Sequence, residues 1–445
     1  MSAHARCPSG AAVARAGPGL EVAEIFRRYL EPLRRSYGLG PQEDRIARDA
    51  MACRTAELGG HLEVCTWCGL ERPAYNSCRN RHCPKCQALR GARWVEERME
   101  RILPVHHFHV VFTLPSELHE LARRNRALVL DLLLESAARA LLKLGRDPKW
   151  LGRSALLGVT SVLHTWARDL HFHPHAHCIV TGGGLALDDQ PGTLEGVPDP
   201  PATDSARGSR ASSTRDEPAW VAAPPGFLVP VHVLGALFRG IFLDGLERYR
   251  ARGLLRDSLG DRAARRRRAR LYDQSWIVYA KRPFGGPQHV YRYLGRYTHR
   301  VAISNARLVS IDDDAVVFRT RGDGTASLTP VEFLRRFLDH RLPRGFVKIR
   351  HAGLLSPGNV NGRLARARAL LSASGAVPPA ACEPTDDAER AAPPPARVPR
   401  SWRELLLALT GIDVDVCPRC GSRALVHRPI STACRGPPDE GRPSA

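Results

Sequence analysis

The segment His171-Phe-His-Pro-His-Ala-His177-Cys-Ile-Val180 constrains this chain more than any other. Side chains alternate across a β-strand, so His173, His175 and His177 share one face and Phe172, Pro174, Ala176, Cys178 and Val180 share the other. The second face is apolar and requires a core. The first presents neutral imidazoles converging on one point, which suits a divalent metal ion. Two ligands at spacing two make half a site, and the remainder must come from another element, water or substrate. His106, His107, His109 and His164 lie on neighbouring predicted strands; any of them could join the site or merely be a surface residue, and the surface reading is preferred. Cys178 reads as a packing residue.

The surrounding pattern predicts an α+β domain on an antiparallel sheet. His107 to Leu114 alternates, with Phe108, Val110, Phe112 and Leu114 on one side. Further strands are predicted at Thr160 to Trp166, Phe172 to Thr181 and Trp276 to Ala280. Val301 to Thr320 reads as a hairpin turning at Asp312, Asp313 and Asp314. Helical structure is predicted over about Ser116 to Leu144, as a helix hairpin or one long helix, and over Val229 to Arg252 and Pro287 to Arg300. In the first of these, Asp131, Glu135, Arg139 and Lys143 recur every four residues as a polar stripe.

That stripe also excludes a membrane span, because no run of about 18 apolar residues exists. The N-terminus carries no secretory pattern, so the chain is expected in the cytoplasm, associated with the nucleoid. Lys+Arg number 66 against 45 Asp+Glu, a net charge of +21, which favours a polyanionic partner. Four regions are expected: a disordered start over 1–19, a helical and metal-binding region over 20–100, a catalytic region over 104–355, and a flexible tail over 375–445. A Pro/Gly/Ser/Thr/Asp-rich stretch over 188–223 reads as a disordered insertion. Arg265 to Arg268 form a run that could grip a nucleic-acid backbone without reading sequence.

Tyr293-Leu-Gly-Arg-Tyr-Thr-His-Arg300 places Tyr293 and Tyr297 on one helix face, and Arg296 and Arg300 at the same spacing. Alone, such a pair reads as two buried aromatics. Beside a histidine–metal strand it reads as a nucleophile set. A phenol must lose its proton to attack phosphorus, a metal on the phosphate assists, and arginines clamp the flanking phosphates.

Twelve cysteines favour metal ligation over disulfides. Cys65-Thr-Trp-Cys68 and Cys83-Pro-Lys-Cys86 are separated by 14 residues, close to zinc-ribbon spacing, and predict a four-cysteine site for Zn2+. Cys53, His61, Cys78 and His82 could form a second site, or one could replace a member of the first. Arg72, Arg79, Arg81 and Lys85 around the cluster suggest DNA contact. Cys417 and Cys420, followed by His427 and Cys434, allow a further zinc site more weakly. Cys7 and Cys382 are assigned no role.

Several of these strings together resemble a known family. His-Pro-His-Ala-His with Gly182-Gly-Gly184 resembles the HUH motif, and Tyr293 to Asn305 resembles the two-tyrosine motif of rolling-circle transposases of the IS91 family. Cys78-Arg-Asn-Arg-His-Cys-Pro-Lys-Cys86-Gln, Cys53 to His61 and Phe333 to Leu338 are similar to it as well. The resemblance runs from about 20 to 355, apart from the insertion. Ala176 stands where the family has a bulkier hydrophobic residue. The resemblance implies a ferredoxin-like or RRM-like sheet with the HUH strand central, flanked by helices, and a small zinc-ribbon domain at the N-terminus. It implies His175 and His177 as ligands of Mg2+ or Mn2+, and Tyr293 and Tyr297 as nucleophiles. The implied activity is nicking of single-stranded DNA at transposon ends through a 5′-phosphotyrosine, with strand transfer. A replication initiator or relaxase-like nickase shares this chemistry, and a catalytically inactive zinc-ribbon DNA-binding protein is the alternative from another class.

Overall fold

A computed structural model of the protein describes residues 19–99, 101–187, 219–224, 230–257, 259–281, 302–374 and 401–430. The chain is α+β and its sheets are antiparallel.

The main sheet runs β11-β4-β5-β3-β7, with β3 at His107–Thr113, β4 at Ala155–Trp166, β5 at Phe172–Ala186, β7 at Val278–Lys281 and β11 at Ile349–Gly353. The histidine strand β5 is therefore interior, between β4 and β3. A short strand β6, Trp220–Ala222, pairs with the far end of β5. This corrects the expected insertion at its C-terminal edge, since residues 219–223 join the sheet; residues 188–218 lie outside the described ones. Strand β11 was not expected: Ile-Arg-His-Ala-Gly carries no alternation, yet it pairs with β4 from Gly158 to Val162.

The apolar side of β5 carries the principal core. Helices α5 (Arg126–Arg146) and α7 (Val231–Ala251) cover it, burying Leu130, Leu133, Ala137, Leu141, Phe238 and Phe242 against Phe108, Phe112, Cys178 and Val180. Of the helix hairpin or long helix predicted from Ser116, the structure has two helices, because α4 (His119–Arg124) stops at Asn125 before α5 begins. The glycine triplet following the histidines has a steric cause. A Cβ on Gly183, at φ +138°, would lie 2.4 Å from the Val221 carbonyl oxygen, and one on Gly184 would lie 2.5 Å from that of Leu156. These glycines let β5 run closely between β4 and β6.

A second core lies outside this sheet. Helices α1 (Val22–Tyr37) and α2 (Pro41–Ala52) pack with a three-stranded sheet of β8 (Leu308–Ile311), β9 (Val316–Arg319) and β10 (Thr325–Leu328), and with α9 (Pro330–Asp339). The apolar stripe Ile25, Phe26, Leu30 and Leu33 of α1 meets Phe333, Leu334, Phe337 and Leu338 of α9, with the Phe26 and Phe337 rings 5.7 Å apart. The hairpin expected near Asp312 is thus present, but it joins the N-terminal helices instead of the main sheet. The region expected as one unit over 104–355 is divided between two cores.

The N-terminal hairpin β1 (Gly60–Cys65) and β2 (Glu71–Tyr75) gains a third strand, β12 (Leu425–Ile430), paired antiparallel to β1 over its full length. Helix α11 (Trp402–Thr410) packs against α3 (Ala88–Met99). The tail expected to be flexible over 375–445 therefore has a folded piece at 401–430. The helix expected over Pro287 to Arg300 lies outside the described residues. Among the described residues, no helix is long and apolar enough to cross a membrane.

Candidate metal centres

The register of β4 against β5 sets His164 directly opposite His175. His177 is two positions along, on the same face. One ring nitrogen from each of His164, His175 and His177 lies within 4.8 Å of the others. The surroundings of His164 and His175 hold both neutral. Burial pushes His164 well below the ordinary histidine range, with the charges of His175 and Lys348 adding to it, and burial lowers His175 to about 4. The Lys348 ammonium is itself buried on this side, which lowers it to about 7, with Arg81 contributing.

Two of the rings are aimed by hydrogen bonds. His175 donates from Nδ1 to the carbonyl oxygen of His173 at 2.7 Å, and Nδ1 of His177 lies 2.8 Å from Nε2 of His109. Each bond leaves Nε2 as the donor for a metal. His173 therefore acts through its carbonyl, and its ring stands outside the triad. The reading of His107, His109 and His164 as surface residues is corrected: they are 1%, 2% and 5% exposed. Strand β4 is buried along nearly its whole length, so His164 carries no alternation signal of its own. The histidine face is completed by Val162, Ile179 and Trp94 of α3.

Strand β7 pairs with β3 and ends at Lys281, opposite His109. The sequence bearing Tyr293, Arg296, Tyr297 and Arg300 follows from there and lies outside the described residues.

The cysteines form two groups of four, sorted differently from the spacing-based expectation. Cys53, Cys78, Cys83 and Cys86 make one, and Cys65, Cys68, Cys417 and Cys420 the other. The knuckles Cys65/Cys68 and Cys83/Cys86 thus do not share a site. A tetrahedral Zn2+ with Zn–S of about 2.3 Å requires sulfurs about 3.8 Å apart. Cys78 and Cys86 are 3.8 Å apart, and the pairs Cys65–Cys420 and Cys68–Cys417 are each 3.7 Å apart. In the first group, hydrogen bonds from the other three thiols hold Cys86 well below the usual thiol range.

Neither histidine expected beside the cysteines joins them. His82 donates from Nδ1 to Asn80 Oδ1 at 3.0 Å and accepts the Leu342 N–H at Nε2 at 3.1 Å, so both nitrogens are engaged. Burial lowers it to about 3. His61 stands with Glu63 and His427 on the β1–β12 ladder. Cys417 and Cys420 are not a separate site with His427.

Some of the basic residues expected to contact DNA are tied into the fold. Lys85 bonds the Cys53 carbonyl at 3.2 Å and pairs with Glu21 at 2.5 Å, and Arg81 donates to the Phe346 carbonyl at 2.9 Å. Arg79 is exposed. In α8 (Asp261–Asp273), Arg267 and Arg268 pair with Asp257 and Asp244, leaving Arg265 and Arg266 exposed.

Residues 158–195 and 211–363 match the family model Y2_Tnp, described as "Putative transposase", and residues 25–114 match the transposase zinc-binding domain. The chain is 42% identical over 439 residues to "Putative transposase y4qJ" of Sinorhizobium fredii, covering 96% of this chain and 98% of that protein. It is 27% identical over 327 residues, 72% of each chain, to the transposase for insertion sequence element IS801 of Pseudomonas savastanoi pv. phaseolicola. No solved structure matches. The zinc-binding domain match and the cysteine groups agree on Zn2+ as the ion of the N-terminal region.

Proposed function

The chain belongs to the IS91 family of transposases, with that family's N-terminal zinc-binding domain, and from this premise we propose that it nicks single-stranded DNA at transposon ends by tyrosine attack. The observation that carries the proposal is the convergence of His164, His175 and His177 in the middle of the antiparallel sheet. In this reading β5 is the HUH strand of a ferredoxin-like nuclease sheet.

Three converging imidazoles, with His164 and His177 buried and His175 half-buried, fit a divalent ion, and three nitrogen donors suit Mn2+ better than the harder, oxygen-seeking Mg2+. When bound, the ion would draw charge from the scissile phosphate and fix its orientation. The protein residues supply the remainder. Tyr293 or Tyr297 loses its phenolic proton to water, and its Oη forms a bond to phosphorus. The bond from phosphorus to the 3′ oxygen breaks. That oxygen takes a proton from water, leaving a 3′ hydroxyl and a 5′-phosphotyrosine. The second tyrosine takes the other strand transfer. Arg296 and Arg300 clamp the neighbouring phosphates.

Single-stranded DNA is favoured by the zinc-ribbon surface. Trp67 stands 80% exposed within its knuckle, and Arg419 is exposed in the knuckle that faces it. An aromatic platform in a basic surface stacks bases without reading sequence.

The test is incubation with Mn2+ and labelled single-stranded DNA carrying a transposon end. A covalent protein–DNA adduct is expected from the natural chain and none from the Tyr293→Phe, Tyr297→Phe double variant. An adduct that survives in the double variant removes the nucleophile assignment. No adduct from the natural chain on any transposon end favours a protein that only binds DNA.

A further inference from the structure

The two cysteine groups differ in where their ligands come from. All of the first lies within residues 53–86, inside the stretch that matches the zinc-binding domain. The second draws Cys65 and Cys68 from that stretch and Cys417 and Cys420 from the far end of the chain, beyond the last residue either family model matches.

The two halves of this second group are built alike. In Cys65-Thr-Trp-Cys68-Gly69 and in Cys417-Pro-Arg-Cys420-Gly421, the glycine N–H donates to the carbonyl of the first cysteine at 2.9 Å. Both glycines hold left-handed backbone, at φ +71° and +74°, a conformation costly for other residues. Each turn folds its two sulfurs to one side. The knuckle Cys83-Pro-Lys-Cys86 is followed by Gln87 in place of the glycine. The matched knuckles face each other with cross-sulfur distances of 3.7 Å, the edge of a zinc–thiolate tetrahedron and far beyond a disulfide bond. The surrounding backbone is fixed to the same end. Thr66 N–H donates to the Ala424 carbonyl at 2.9 Å, and β12 runs along β1 from Gly60–Ile430 to Cys65–Leu425.

We propose that Cys65, Cys68, Cys417 and Cys420 bind a second Zn2+, making a single zinc ribbon from the two ends of the chain. The ion locks the C-terminal segment onto the N-terminal domain, so the ribbon is complete only in a full-length chain. Four thiols give up their protons and hold the ion as thiolates, with no change of oxidation state.

The test is zinc stoichiometry of the purified full-length protein by elemental mass spectrometry. Two equivalents are expected in the natural chain. The Cys65→Ser, Cys68→Ser variant should hold one, and the Cys417→Ser, Cys420→Ser variant should also hold one. Combining all four substitutions should still leave one, because both pairs serve the same ion. A quadruple variant with no zinc, a tail variant that keeps two, or a natural chain with one would overturn the proposal. A second measurement uses the natural chain alone, and so does not depend on variant folding. During timed chelation followed by alkylation and peptide mapping, Cys65, Cys68, Cys417 and Cys420 should become reactive at one common rate. Different rates for the two pairs would equally overturn it.

Discussion

His109 holds His177 through a ring-to-ring hydrogen bond of 2.8 Å between Nε2 and Nδ1. The two residues sit on adjacent strands, β3 and β5, and their rings are stacked within 15° of parallel. His109 has no place among the converging nitrogens, yet it fixes the tautomer of one that does. Partners of this kind change metal affinity by about 10- to 100-fold when removed. His109→Ala should therefore weaken Mn2+ binding by that factor in isothermal titration while retaining adduct formation at saturating Mn2+. An unchanged dissociation constant would show that the bond does not tune the site.

His164 and His171 make a contrasting pair. His164 is buried opposite His175, whereas His171 is 62% exposed in its side chain and bonded to Asp169. Both belong to the same histidine-rich neighbourhood. His164→Ala and His175→Ala should each abolish measurable Mn2+ binding, and His171→Ala should leave it within about twofold. Equal affinities for all three variants would mean that the ion is held elsewhere.

The contrast between β4 and β5 also explains what could be read from sequence. Strand β5 was legible because one of its faces is polar and the other apolar. Strand β4 is buried on both faces and carries Thr160, Ser161 and Thr165 as well, so nothing marked the direction of His164. Only the register against β5 reveals it. The hairpin at Asp312 was legible from its turn residues, but its attachment to α1 rests on long-range packing such as Phe26 against Phe337. The cysteines follow the same logic. Each knuckle declares metal chemistry locally, while its partner is chosen by the β1–β12 pairing, which joins distant parts of the chain. The one local clue was the glycine after Cys68 and after Cys420, absent after Cys86.

Buried histidines away from the metal cluster give the fold an acid limit. Burial lowers His107, His340 and His351 to about 4 each, from an ordinary value near 6.5. The unfolded chain takes up these protons near pH 6.5, and the folded chain only near pH 4. Stability is therefore fully present above about pH 6.5 and falls as pH drops toward 4, by roughly 1.4 kcal/mol for each unit of each shift at most. His340 donates from Nε2 to the Leu170 carbonyl oxygen at 3.1 Å, a contact glutamine can preserve without titrating. Urea unfolding at pH 7, 5.5 and 4.5 should show His340→Gln losing less stability across the series than the natural chain. Parallel curves would mean that His340 does not titrate in this window.

Trp67 supplies the sharpest test of the zinc-ribbon surface. A tryptophan 80% exposed to water contributes little to the fold, so truncating it should leave thermal unfolding unchanged within about 0.5 kcal/mol. Its knuckle is held by the Cys65 and Gly69 backbone bonds, which the side chain does not touch. Stacking on one base is worth about 1–3 kcal/mol, or roughly 5- to 150-fold in affinity. Trp67→Ala should therefore weaken binding to single-stranded oligonucleotides by that range in fluorescence anisotropy. Trp67→Phe should recover most of the loss, because a smaller ring still stacks. Binding to a duplex of the same sequence should change less, since its bases are already stacked on one another. Equal losses on single strand and duplex would assign Trp67 to backbone contact, and no loss on either would remove this face from the DNA path.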